Sequence, residues 1–221
     1  MNTFMIKRLV LKDWYFQRWP IAAALAGGAL SLACIAAGTN GSFYAGTVLL
    51  ITVMITAGVS LAVTTVVGER TEHTLPFVMS LPISPIDYTA AKLVANVSIF
   101  LLPWTALTLG TLTLLAMGAG GMIPLATLTL VEMFASYCVI LMVAIVTESM
   151  GWTISVMAAL NLFLQAFLYY VTRMPGVART MRGEVAVWDR GTVTLLIVEI
   201  AVSFASLGLA FVLQSRKRDF L

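Results

Sequence analysis

Apolar residues in this chain run in long, nearly charge-free blocks rather than alternating with polar ones. About 20 such residues cross a bilayer as a helix rising 1.5 Å per residue. Windows of that kind fall at 20–37, 45–67, 93–117, 124–146, 152–172 and 192–214. The breaks carry turn chemistry: Gly38, Asn40 and Gly41, then Gly118, Gly120 and Gly121, then Gly151. Links this short make sequential helices antiparallel. The pattern predicts an all-α membrane protein with six transmembrane helices in a single domain over 1–221. The first window reads as a retained span and not a cleaved signal, because a basic, aromatic stretch precedes it and no Ala-x-Ala-like site follows.

Composition removes the competing classes. Of 221 residues, 60% are hydrophobic and 10% charged, against about a quarter charged in a soluble domain; mean hydropathy is +0.98. The spans leave no length for a soluble catalytic domain. The net charge of +3 sits beside apolar blocks, where it meets lipid headgroups rather than nucleic acid. Cys34 and Cys138 lie inside apolar windows, as small hydrophobes do.

Alternation puts both termini, the 68–92 loop and the turn at Glu148 on one side. That side carries Lys7, Arg8, Lys12, Arg18, Arg70, Lys92, Arg216, Lys217 and Arg218. The other carries Arg173, Arg179, Arg182 and Arg190, tempered by Glu184 and Asp189. Lys and Arg mark the cytoplasmic face, so both termini of this multi-pass chain are expected inside.

Segments between the spans add detail. Residues 1–19 mix Phe4, Ile6, Leu9, Val10, Trp14 and Phe16 with Lys7, Arg8, Lys12, Asp13 and Arg18, the composition of an amphipathic helix lying in the headgroup plane. The 68–92 loop is too long for a turn and too apolar for a plain solvated loop. Its 74–80 stretch predicts a short helix presenting Leu75, Phe77, Val78 and Met79, closed by Pro82 and Pro85. An apolar cytoplasmic projection implies a partner surface. The outer loop, 173–191, is either a short amphipathic element or a solvated loop, and 215–221 is a cytoplasmic tail.

Catalytic chemistry finds few footholds. The 41–47 stretch spells Gly-x-x-x-x-Gly-Thr but lacks the lysine of a phosphate loop. His73 is the sole histidine, with no ligand partner at metal-binding spacing. Asp13, Asp87, Asp189 and Asp219 all fall outside the windows. Two carboxylates do fall inside, Glu132 and Glu199, with no basic partner in the membrane. Counted at 1.5 Å per residue, they and Gln165 sit about 10–12 Å below the outer ends, with Asn161 one turn deeper. A charge there must face protein or water or be protonated. The layer either lines a substrate path or makes helix-packing hydrogen bonds with neutral glutamic acids.

At the cytoplasmic loop the residues Glu69-Arg70, Glu72, Thr74-Leu75, then Met79-Ser80-Leu81-Pro82-Ile83-Ser84, Tyr88 and Ala91-Lys92 resemble the signature between the second and third spans of the type-2 ATP-binding-cassette (ABC) transporter permeases. The sequence departs from that pattern at His73, where the family has glycine, and at Pro76. The resemblance implies the permease subunit of an ATP-driven exporter that binds no cofactor itself and is not an enzyme. ATP and Mg would sit on separate ABC ATPase subunits, docked below a pair made with a second copy or a related permease. It implies an ATPase-coupling element built from Glu69, Arg70, Glu72, Thr74, Leu75, Phe77, Val78, Met79, Leu81 and Pro82, with Glu148 as a smaller contact. A path for an unknown exported substrate would run between the protomers, at Thr52, Thr56, Glu132, Asn161, Phe163, Gln165, Phe167, Tyr169, Tyr170 and Glu199, with lipids around it. Two alternatives stand beside it: a membrane scaffold recruiting a cytoplasmic partner, and an ion-coupled carrier using Glu132 and Glu199.

Overall fold

The computed structural model describes residues 3–68, 85–181, 183 and 185–215. Among these residues seven α-helices follow in order: α1 (Thr3–Ala36), α2 (Asn40–Ala62), α3 (Pro85–Gly118), α4 (Ile123–Thr147), α5 (Met150–Val171), α6 (Pro175–Thr180) and α7 (Arg190–Ser215). A π-turn, Val63–Val67, continues α2, and a 3₁₀ turn, Gly120–Met122, precedes α4. Every helix except the short α6 is long and apolar enough to cross a membrane, six in all among the described residues, and the protein is an all-helical, multi-pass membrane protein.

Local chemistry sets the helix ends. Gly38 takes φ +74°, which a side chain resists, and lets the chain reverse between α1 and α2. Thr39 and Ser42 then form a reciprocal capping box at the start of α2. The link from α4 to α5 is tighter still. Glu148 caps α4 in the left-handed conformation at φ 49°, a position where glycine is usual and a side chain is strained.

The core gathers on α4. Of its spanning stretch 61% is buried within the protein, against 17% for α5 and 22% for α7, so α4 is the central post and α5 and α7 are peripheral. Phe100 of α3 stacks on Tyr137 of α4 with centroids 4.0 Å apart. Trp104 packs beside Phe134 and donates from Nε1 to the Leu130 carbonyl, 2.8 Å away. On the other flank α1 and α2 approach closely at Gly46, where an added Cβ would stand 2.8 Å from the Ser31 carbonyl oxygen. The Ser31 hydroxyl donates to the Gly46 carbonyl at 2.8 Å, the small-residue contact that brings membrane helices together.

Two boundaries differ from those expected. Helix α1 runs unbroken through Pro20, where a headgroup-plane helix 1–19 was to give way to a span from 20. A proline withholds only its own N–H, and neighbouring helices compensate for that in a membrane. Side chains at 13, 14 and 17 also draw the inner part of α1 onto the bundle, while Tyr15, Phe16 and Trp19 stay exposed and Arg18 lies 4.1 Å over the Tyr15 ring. Helix α3 begins at Pro85 rather than 93, since proline suits a first helical turn and Asp87 favours its dipole. Of the two alternatives for 173–191, a short element is present as α6, whose Val177 packs into a cluster with Leu128, Leu164, Phe167 and Val171. The coupling helix expected over 74–80 lies outside the described residues.

Candidate functional site

Of the residues assigned to ATPase coupling, Glu69 to Pro82 lie outside the described residues, and Glu148 is within them. What the structure places is the pair of helix ends that flank that loop, and both are held by buried polar contacts. On the side after the loop, Lys92 Nζ meets Asp13 Oδ2 of α1 at 2.9 Å, with both residues about 95% buried, and lies 5.9 Å from the Tyr88 ring. One turn on, Asn96 is fully buried. Its Nδ2 donates to the Lys92 carbonyl at 2.9 Å, and its backbone carbonyl accepts from Tyr137 OH at 3.0 Å.

The side before the loop joins the same network. Thr65 Oγ1, in the π-turn, lies 2.7 Å from both the Leu61 carbonyl oxygen and Asn96 Oδ1, and shares one proton between them. Its neighbour Thr64 accepts from Gln17 Nε2 at 2.8 Å, and Trp14 Nε1 donates to Ser98 Oγ at 3.1 Å. The π-turn itself closes with the Gly68 N–H donating to the Val63 carbonyl; the wider ring turns Thr64 toward α1 and Thr65 toward α3. A collar of side chains thus ties α1, the end of α2, α3 and α4 together immediately above the loop. Nearby, Glu148 Oε1 accepts from Gln214 Nε2 of α7 at 2.7 Å, which fixes the α4–α5 turn to the last helix.

The intramembrane carboxylates meet elsewhere. Glu132 of α4 and Glu199 of α7 are 6% and 4% exposed and stand at the same level of two helices that pack against each other. Ser136 donates to Glu132 Oε1 at 2.7 Å. Neither carboxylate oxygen of Glu199 has a hydrogen-bond partner among the described residues. Ser136, Tyr137 and Asn161 also border a cavity of about 30 Å³ between α2, α4 and α5.

The expected polar layer is therefore divided. Glu132 and Glu199 lie in the α4–α7 seam, Asn161 is half-buried at the cavity and donates to the Met157 carbonyl, and Gln165 faces outward. Of the other path residues, Thr52, Thr56, Phe163, Tyr169 and Tyr170 are exposed on the faces of α2 and α5, and Phe167 is buried in the α6 cluster. Arg173 lies 3.8 Å over the Tyr169 ring, an aromatic–basic pair of the kind found at a membrane surface.

Sequence reading missed the collar. Asp13 is masked by the basic residues around it, and Asn96 and Thr65 sit inside charge-free windows. The available signal was spacing: Lys92 and Asn96, like Glu132 and Ser136, are four residues apart on one helix face. Outside the membrane, Asp189 caps α7, accepting from the Thr192 hydroxyl and, at 3.0 Å, from the Thr192 N–H; those bonds hold its carboxyl below the usual value of 3.8. No group of three potential metal-ligating side chains occurs among the described residues. Comparison with protein-family models, with curated proteins and with solved structures finds no match to this chain.

Proposed function

We propose that this chain is the permease subunit of an ATP-driven exporter of the type-2 ABC class, in a bacterial inner membrane with both termini cytoplasmic. Two copies, or this chain and a related permease, would enclose the path, and separate ABC ATPases would dock at residues 69–82 and at Glu148. The observation that supports this best is the way both ends of the signature-bearing loop are held. Thr64 and Thr65 precede it, and Lys92 and Asn96 follow it, in a polar network, buried except at Thr64, that reaches α1 and α4. A force applied to such a loop passes into four helices instead of being absorbed by slack, as a coupling element requires. The exposed faces of α2 and α5, with Thr52, Thr56, Phe163, Gln165, Tyr169 and Tyr170, are the surfaces through which one protomer would meet the path.

The test is to express the chain from its native operon, purify it in mild detergent and identify what remains bound by mass spectrometry. A stoichiometric P-loop ATPase is the expected result. A different partner, or none across several detergents, would overturn the proposal. With the ATPase bound, Phe77→Asp or Met79→Asp is expected to abolish substrate-stimulated hydrolysis while leaving the helical content unchanged.

A further inference from the structure

We propose that Glu132 and Glu199 form an intramembrane proton site in the α4–α7 seam, taking up and releasing a proton independently of whether the chain is a permease. Each carboxyl stands nine residues into its helix, counted from Ile123 of α4 and Arg190 of α7. The two helices run in the same direction, so both groups lie about 13 Å below the outer end. One carboxylate at such depth is already costly, and two side by side repel as well.

Something must neutralise them, and the surroundings narrow the choice. Helices α2 and α5 contain no charged side chain, and α3 contains none between Lys92 and its outer end. The titratable groups on the packed elements are Tyr44 on α2, Asp87, Tyr88 and Lys92 in the first turns of α3, Tyr137 and Cys138 on α4, Tyr169 and Tyr170 near the end of α5, Arg179 on α6 and Arg190 at the start of α7. Among the described residues no basic group is at the level of the pair. A metal cation needs a shell of several oxygens, and Ser136 is the single side chain bonded to either carboxyl among the described residues. A proton needs no shell. It converts an orphaned carboxylate into a neutral acid, and two adjacent carboxyls can share it.

A route for exchange is also present. Ser136, bonded to Glu132, borders the cavity shared with Tyr137 and Asn161. Its volume of about 30 Å³ accommodates one water molecule with polar partners, which extends the line from Glu199 through Glu132 and Ser136 toward the α2–α5 face.

Dicyclohexylcarbodiimide, which reacts with protonated carboxyls in apolar surroundings, tests this on the full chain in lipid nanodiscs, with adducts located by mass spectrometry. Labelling at Glu199 is expected at neutral pH, fading on an alkaline ramp and indifferent to sodium. In Glu132→Gln, which retains an acceptor for Ser136, labelling of Glu199 is expected to fade at a different pH than in the parent chain, a displacement that a purely structural role would not produce. Protection by sodium would assign the site to a metal cation and overturn the proposal. So would labelling that is absent at every pH while an added hydrophobic carboxylic acid in the same nanodiscs reacts, or an unchanged pH profile in a monodisperse Glu132→Gln chain.

Discussion

In the N-terminal halves of α1 and α3 a carboxylate and an ammonium, Asp13 and Lys92, meet at 2.9 Å with amides, hydroxyls and a phenol arranged around them. In the N-terminal halves of α4 and α7, Glu132 and Glu199 are equally buried, yet Ser136 alone bonds to them among the described residues. The same bundle therefore hides charge in two ways. At the collar Asp13 with Lys92, Gln17 with Thr64, Thr65 with Asn96 and Tyr137 with Asn96 each pair across two helices, so the contacts define how the helices sit. In the seam the two groups share a sign, and their presence opposes packing unless they are neutralised. A carboxylate pair maintained against packing suits chemistry, whereas an ion pair bridging helices suits architecture.

The largest break in that contrast comes from removing one partner of the ion pair. Lys92→Met leaves buried Asp13 with only the part-exposed Lys12 ammonium, 3.8 Å away, and is expected to destabilise the chain by about 3 kcal/mol. Thermal unfolding in detergent would show it, and the double variant Asp13→Asn with Lys92→Met should recover most of the loss. Gly46→Ala forces a Cβ against the Ser31 carbonyl, and an overpacked contact of that kind costs about 1–3 kcal/mol; the same unfolding series measures it.

Glu199→Leu should act in the opposite sense. Removing an unsatisfied buried carboxyl is expected to raise stability by about 1–3 kcal/mol, and a fall as large as that of Lys92→Met would erase the distinction between the two regions. A smaller, pH-confined effect belongs to Asp189. Its depressed carboxyl stabilises the fold above the ordinary value of 3.8, and that contribution disappears as pH falls through the lower folded value. Asp189→Asn should flatten the acid limb of the melting-temperature profile. Thr52→Ala, at an exposed hydroxyl that bonds back to Val48, should change stability by no more than about 0.5 kcal/mol.

The six apolar windows made the helices legible in the sequence, because hydrocarbon permits few other ways to satisfy a backbone. Periodicity was less informative about which faces meet. Lipid-facing and core-facing residues are both apolar here, so nothing in the composition of α4 distinguishes it as the central post or α5 as peripheral. The intramembrane glutamates were visible as isolated charges, but their pairing across α4 and α7 and the outward turn of Gln165 depend on helix rotation, which spacing within a single helix does not specify. Asp13 illustrates the same limit. A carboxylate in a basic, aromatic stretch reads as surface until α3 brings Lys92 to it.

The π-turn at Val63–Val67 gives the inner end of α2 a property that a regular helix lacks. Its wider ring closes between Gly68 and Val63 and accommodates one more residue than an α-turn in the same circuit. Deleting one residue from 63–67 would restore the ordinary pitch, and the phase of every position beyond it would turn by about 100°. The chain would remain helical while Thr64 and Thr65 lost the headings that bring them to Gln17 and Asn96. Helical phase at this turn is thus a dial for the direction in which the chain leaves α2, and a single insertion or deletion is enough to reset it.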